Sequence, residues 1–408
     1  MPFIKIVTLC LEWNDFFRIY LFLGGKKAMP YFDHAATTPI NPIVLNAMVS
    51  TMEEAYGNPS SIHQFGRKAH ESLEAARQQI ASQLHVKTNE IVFTSGGTES
   101  DNMAIIGTAE ARASEGKHII TTNVEHPAVL ESMAYLEKKG FEVTYLPVDS
   151  NGQITAAQVE AALRPDTILV SVMYANNETG VLFPIAEIGQ VLVQHPATFH
   201  TDAVQVFGKI PLKPNEIGVD LLSISAHKIN GPKGVGFLYQ RSGVKRTPLM
   251  HGGEQEEKRR AGTENLAGIV GLATAIQQLD EEKQQENWMT YEKFNQLLLA
   301  RLNEAEISFE INGEQATRLP HILNLHLNGV ASNLLLMHLD LQGIAISTGS
   351  ACSAGNVEPS HVLEAMYGKE GASIAESIRI SFGLGNTTEE VEKLAESMIS
   401  SVRRLKRD

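Results

Sequence analysis

The stretch VDLLSISAHKINGPKGVGFLYQ, residues 219–240, decides the fold. An apolar run, VDLLSIS, stops at Ser225, and His227 and Lys228 follow at once. After a Gly-Pro-Lys-Gly turn a second β-rich run, VGFLYQ, begins. The first run looks like a buried strand, so Lys228 stands where a strand leaves a sheet. A lysine there is ordinarily a surface residue with a snorkelling stem. Ser225 and His227 change that reading, because both can bind an anion beside the amine.

Working outward toward the N-terminus, similar short runs recur: EIVFTSG, HIITTNV, EVTYLPV, TILVSVMYA and TFHTDAV. Helical patterns such as ESMAYLEKKG and TAAQVEAALR lie between several of them. This alternation predicts an α/β sheet, mostly parallel and covered on both faces. Ligands gather beyond the carboxyl ends of such strands. The polar residues fall at those ends: Ser95 to Thr98, Glu125-His126, Asn176 to Glu178, Thr201-Asp202, and Ser225 to Lys228. Toward the C-terminus a long helical stretch is expected from Glu264 to Arg301. A second β-rich region, HILNLHL and GIAIS, and helices near PSHVLEAM and TEEVEKLAESMISSVRRL complete a smaller α+β domain.

Composition narrows the function. A chain of 408 residues can bury a large core and divide into two domains. With a formal net charge of −13, a broad phosphate-binding surface for nucleic acid is disfavoured. Two cysteines make no disulfide framework, and no Cys/His cluster has metal spacing. Residues 1–28 are apolar and aromatic but interrupted by Glu12, Asp15 and Arg18, so neither a membrane span nor a signal peptide is expected. The natural start is expected at Met29. GGKK just before it reads like a translated ribosome-binding site, and Cys10 then has no role.

Each motif has a plain reading and a chemical one. TSGGTESDNMAI, from Thr94, is a glycine turn entering a helix, where free N–H groups and the helix dipole attract an anion. It is also an ordinary helix start with Thr98 as N-cap. GPKGVGFLY is GxG-like but leads into a strand, the reverse of a dinucleotide fingerprint. Asp202 closes an apolar strand, where a bare carboxylate is costly unless paired. A protonated pyridine nitrogen would be such a partner. His126 can stack on a flat ring or be a satisfied structural histidine. Together these residues sketch a pyridoxal phosphate site with a phosphate turn, a ring-stacking His, an acid at the ring nitrogen and an aldehyde-trapping Lys.

From Met29 onward the chain resembles the NifS/IscS cysteine desulfurases, which are fold type I pyridoxal phosphate enzymes related to the class V aminotransferases. The resemblance rests on YFDHAATTP, YGNPSSIHQFGR, SGGTESDN, EHPAV, NNETG, TDAVQ, SAHKINGPKGVG, RAGTEN, STGSACSAG and SIRISFG, in the family's order over some 380 residues. GSACSAG places it with the first group of that family. The resemblance implies a large cofactor-binding domain at 44–284 with a mostly parallel seven-stranded sheet. It implies a smaller α+β domain from 29–43 and 285–408. Lys228 then carries pyridoxal 5'-phosphate. His126 stacks on its ring and is a candidate for proton transfer, Asp202 pairs with the ring nitrogen, and Gln205 reaches the phenolic oxygen. Thr98, Ser225, His227 and the Gly97 N–H bind the phosphate. Thr263 completes that site from a second subunit, so a homodimer is expected. Asn177 and Arg379 hold the carboxylate of L-cysteine. His34 stands where relatives carry Asn or Tyr and receives no role.

Cys352, set among small residues, is then the acceptor thiol, becoming a persulfide as L-alanine leaves. From composition alone a small buried thiol was equally open. The sulfur acceptor is an iron–sulfur scaffold or a tRNA-thiolating enzyme, in a cytoplasmic setting without membrane or direct nucleic-acid contact. Selenocysteine lyase, cysteine sulfinate desulfinase, a pyridoxal phosphate aminotransferase and a non-catalytic scaffold are the other readings.

Overall fold

The computed structural model describes residues 29–348 and 359–406 of the 408. The expectations for residues 1–28 and for Cys352 lie outside the described residues.

Helices α1 (Pro42–Glu54) and α2 (Gln64–Leu84) open the chain. In α2 the buried positions Ala69, Leu73, Ala76, Ile80 and Leu84 recur at spacings of three and four, which puts them on one face. His63 caps its start, and His85 ends it in the left-handed region at φ 55°. A seven-stranded sheet follows: β1 (Ile91–Thr94), β2 (His118–Thr122), β3 (Glu142–Leu146), β4 (Thr167–Ser171), β5 (Thr198–Asp202), β6 (Leu221–Ser225) and β7 (Gly236–Gln240). Their order is β1-β7-β6-β5-β4-β2-β3. All the pairings are parallel except those of β7, which runs antiparallel to β1 and β6. Each of the seven expected runs forms one of these strands. Every residue of β2, β4, β5 and β6 is buried, as a sheet covered on both faces requires. Helices α3 (Gly97–Arg112), α4 (Pro127–Lys138), α5 (Ala156–Ala162), α6 (Ile185–Leu192) and the short α7 (Pro214–Ile217) alternate with them.

The helical stretch expected from Glu264 to Arg301 is two helices, α8 (Leu266–Gln277) and α9 (Glu281–Glu304). Asp280 causes the break: its side chain accepts from the Lys283 N–H and caps α9. Beyond α9, strands β8 (Glu310–Ile311), β9 (Ile322–His326) and β10 (Ser377–Ser381) form an antiparallel sheet in the order β10-β9-β8. GIAIS, expected as β-rich, contributes only isolated bridges at Ala345, to Tyr31, and Ser347, to Arg379. Helices α10 (Ser332–Leu341), α11 (His361–Tyr367), α12 (Ala372–Glu376) and α13 (Thr388–Leu405) complete the chain.

Two large cores result. One holds Phe199, Leu222 and Phe237 of the larger sheet with α2 and α8. The other holds Leu323, Leu325, Ile378 and Ile380 of the smaller sheet with α9 and α13. Phe32 belongs to the second, although it lies at the start of the chain. Asp33 bridges to Ser381, so residues 30–34 are stitched to β10 before the chain crosses to the larger sheet. That crossing brings residues 35–38 over the carboxyl ends of β5 and β6.

Candidate active site

A cavity of about 560 Å³ opens at those strand ends. It is lined by Gly97 and Thr98 after β1, His126 after β2, Asn177 after β4, Asp202 and Gln205 from β5 onward, and Ser225, His227 and Lys228 from β6 onward. Arg379 of β10 closes the far side. Ten of the candidate residues named from sequence are thus brought to one place. Thr263 is not: it is exposed and absent from the cavity wall of its own chain. Cys352 lies outside the described residues.

The glycine turn builds an anion site, but not as an ordinary cap. The N-cap of α3 is Gly96 rather than Thr98, at φ 145°, and no side chain caps the helix. Such a φ suits glycine alone. The first N–H groups of α3 are therefore left for another acceptor. Thr98, Ser225, His227 and Lys233 surround the same opening. His227 Nδ1 lies 3.1 Å from Thr37 Oγ1. Burial, then the Lys228 and Lys233 charges, push its pKa down to about 4, so the ring is neutral.

Lys228 Nζ donates to the carbonyl oxygens of Ala35 and Ala36 at 2.6 and 2.7 Å. Burial, then the Arg379 charge, push its pKa down to about 8, against the pull of Asp202 and Asp33. A neutral amine is therefore accessible close to physiological pH. Asp202 is buried and accepts from the Val204 N–H at 2.9 Å. Burial raises its pKa, while His126, that N–H and Lys228 oppose the rise. His126 accepts from the Ala128 N–H through Nδ1 and caps α4, and burial lowers its pKa. Gln205 Nε2 donates to the Ala35 carbonyl at 3.0 Å.

On the far side, Arg379 donates to the Asn177 carbonyl at 2.9 Å and to Asp33 Oδ1 at 2.7 Å. Its Nε is buried with no hydrogen-bond partner among the described residues. A guanidinium held this way keeps part of its fork for a carboxylate.

Several contributors escaped the sequence reading. Asp33 orients Arg379, and the Ala35 and Ala36 carbonyls hold Lys228. YFDHAATTP was the available signal, but only the fold shows that its backbone enters the site. Glu125 is fully buried behind His126, accepting from Thr122 and the Met173 N–H, and burial pushes its pKa up to about 8. Asp101, on the first turns of α3, also lines the cavity. His34 is buried against Gly383, where a Cβ would fall 2.1 Å from its Nδ1, so it packs the segment ahead of the site.

Residues 30–394 match a family described as aminotransferase class-V. A cysteine desulfurase IscS from Dictyoglomus turgidum is 49% identical over 369 residues, covering 90% of this chain and 92% of its own. The chain belongs to the aminotransferase class-V family. A solved structure titled NifS-like protein superposes with a TM-score of 0.85 at 38% identity, covering 92% of this chain and all of that one. Another, titled SspA in complex with cysteine, gives a TM-score of 0.76 at 37% identity over 86% of this chain and 98% of its own.

The class-V fold identifies this enzyme as pyridoxal phosphate-dependent. The cavity fits that group on its own evidence. A helix start with no side-chain cap would suit a phosphate, a buried carboxylate would suit a ring nitrogen, and an amine of lowered pKa would suit an aldehyde.

Proposed function

We propose that this chain is a cysteine desulfurase that takes sulfur from L-cysteine, releases L-alanine and carries the sulfur on Cys352 as a persulfide. The observation that carries the reading is the convergence of Lys228, Asp202, His126 and Arg379 on one cavity, in a class-V chain with named cysteine desulfurases among its relatives.

Bound pyridoxal phosphate supplies an electron sink for the substrate's α-carbon. The uncapped start of α3, with Thr98, Ser225 and His227, holds the phosphate. Asp202 would pair as a carboxylate with the ring nitrogen, and Gln205 would reach the phenolic oxygen. Arg379, fixed by Asp33, receives the substrate carboxylate beside Asn177. Lys228 Nζ removes the α-proton, and its lowered pKa keeps a usable neutral fraction for that task. His126 would stack on the ring and carry a proton during release of the sulfur. Cys352 attacks the substrate sulfur as a thiolate, the form that is nucleophilic: the S–S bond forms as the substrate's Cβ–S bond breaks, and the electron pair of that bond stays with the carbon skeleton, which is protonated to alanine.

We divide the chain into a large domain, 44–284, and a small one, 29–43 with 285–408. The active unit is a homodimer in which Thr263 reaches the partner's phosphate site. Met52, Tyr56, Ile62 and Phe65 support this, being large apolar side chains that are 53–91% exposed on one short stretch. Pro59 and Ser60 share a cleft with Gln255, Glu257 and Glu264, next to Thr263. Covering that face with a second copy hides the apolar side chains and brings Thr263 to a neighbour. The setting is cytoplasmic, and the sulfur passes to an iron–sulfur scaffold or a tRNA-thiolating enzyme. No helix among the described residues is long and apolar enough to cross a membrane.

The test is an absorbance spectrum of the purified protein before and after L-cysteine, with alanine assayed and sulfide measured in the presence of an added thiol reductant that releases it from the persulfide. A yellow protein that yields alanine and sulfide in equal amounts supports the reading. Amino transfer dependent on a keto acid, or a colourless protein that takes up no cofactor, overturns it.

A further inference from the structure

Asp202 does not stand alone at the foot of the cavity. Asp101, on α3, brings a second carboxyl to it. Asp101, Asp202 and His126 each offer an atom within 4.8 Å of the other two. Asp101 is 1% exposed, and its Oδ1 has no hydrogen-bond partner among the described residues. The groups facing it give it no cation. His200 Nε2 of β5 lies 3.6 Å away, but burial pushes that ring's pKa down to about 3 and leaves it neutral. His200 is instead held between Ser171 and Ser223, at 2.8 and 3.0 Å. Glu125, ahead of α4, is another acid, and Lys228 after β6 acts on Asp202. Two carboxylates this close in a dry interior cannot both be charged.

We propose that Asp101 is a positioning residue that carries the one proton of a buried carboxyl pair and so leaves Asp202 as the single charged acid at the cofactor ring. The environments divide the roles. Asp202 has the Val204 N–H, His126 and Lys228 to favour its charge, whereas Asp101 has burial and then the Asp202 charge against its own, with Glu125 adding to them and only the neutral Ser223 hydroxyl opposing them. A neutral Asp101 lets two acids share a site made for one cation. It fills the space beside Asp202 with a polar group that adds no second negative charge.

This inference rests on the reading that Asp202 meets the ring nitrogen of pyridoxal phosphate. The test uses the cofactor-loaded full-length enzyme with ¹³C-labelled aspartate. The infrared spectrum of wild type is compared with that of Asp101→Asn at neutral pH. A protonated aspartate C=O band present in wild type and missing from the variant is the expected result. No such difference means that Asp101 is ionised and overturns the proposal. Glu125 is silent because only aspartate is labelled.

Melting gives a second readout. A carboxyl whose folded pKa is raised stabilises the fold fully below its unfolded value. That contribution is lost as pH rises toward the folded value. Asp101→Asn is therefore expected to gain in melting temperature over wild type as pH rises from about 4 to about 8. A constant difference across that range counts against the proposal. In cofactor retention, Asp101→Asn supplies a neutral group of the same shape and keeps what Asp101→Leu loses by about tenfold. Equal loss in both variants shows that a charge is needed and overturns the proposal. Asp202→Asn judges the parent reading separately: if it retains cofactor like wild type, Asp202 is not the ring's partner, whatever the infrared result.

Discussion

At the scale of single residues, Lys228 is governed by what surrounds its amine. Two backbone carbonyls hold it in place, while burial and Arg379 lower its pKa to about 8. A depressed lysine pKa means that the reactive neutral form grows as pH rises through about 8. The rate at which the apo protein captures added pyridoxal phosphate is therefore expected to climb across that pH and then level off, as followed by the growth of yellow absorbance. Lys228→Ala is expected to abolish both the chromophore and turnover, because the proposed capture and proton removal need the same amine. A pH-independent capture rate contradicts this assignment. Arg379 makes a complementary case. Arg379→Lys keeps the charge but loses the fork, so KM for cysteine is expected to rise by about tenfold with a smaller change in kcat. An unchanged KM removes Arg379 from substrate binding.

At the scale of elements, the larger sheet was legible because each of its strands is a short apolar run closed by polar residues. The polar residues that end β5 and β6, Asp202 and Ser225, also line the cavity. The break at Asp280 was missed because the residues around it are good helix formers and the stretch reads as continuous. The signal was there in Asp280 itself, an N-cap residue followed by Glu281 and Glu282 in the first turn. The Asp33–Arg379 pair was not legible at all, since 346 positions separate its members and only the fold joins them. The turn at Glu256, Glu257 and Lys258 is another product of tertiary context, with φ values of 49°, 56° and 67° at three non-glycine residues in succession. Buried Glu256 holds it, accepting from Arg77 at 2.6 and 2.7 Å and from the Phe93 N–H at 2.9 Å. Glu256→Ala is expected to cost about 3 kcal/mol in chemical denaturation, because it removes the buried two-bond partner of Arg77 and leaves only the more exposed Glu74 to pair with that charge. Combining it with Arg77→Met is expected to cost less than the two losses summed. Additive losses would show that the pair does not hold the turn.

At the scale of the whole molecule, the first residues of the small core and the last strand of the chain meet over the larger sheet. The cavity exists only where the two cores adjoin. A second copy is the remaining part of the proposed assembly. Ile62, 91% exposed, lies on the face proposed to bind it. Ile62→Asp is expected to shift the sedimentation coefficient toward a monomer and to lower activity in proportion, since Thr263 is proposed to act on the neighbour. A fully active monomer rules out that arrangement. The central claim is that sulfur leaves L-cysteine in this cavity and arrives at Cys352. Wild type and Cys352→Ser are each loaded with cofactor, given L-cysteine, trapped with an alkylating label and read by peptide mass spectrometry. The account predicts one extra sulfur on the Cys352 peptide of wild type. In the serine variant it predicts none, although that variant still binds cofactor and still changes its absorbance with cysteine. Extra sulfur on another residue of wild type, or sulfur delivery by the serine variant at the wild-type rate, would contradict it.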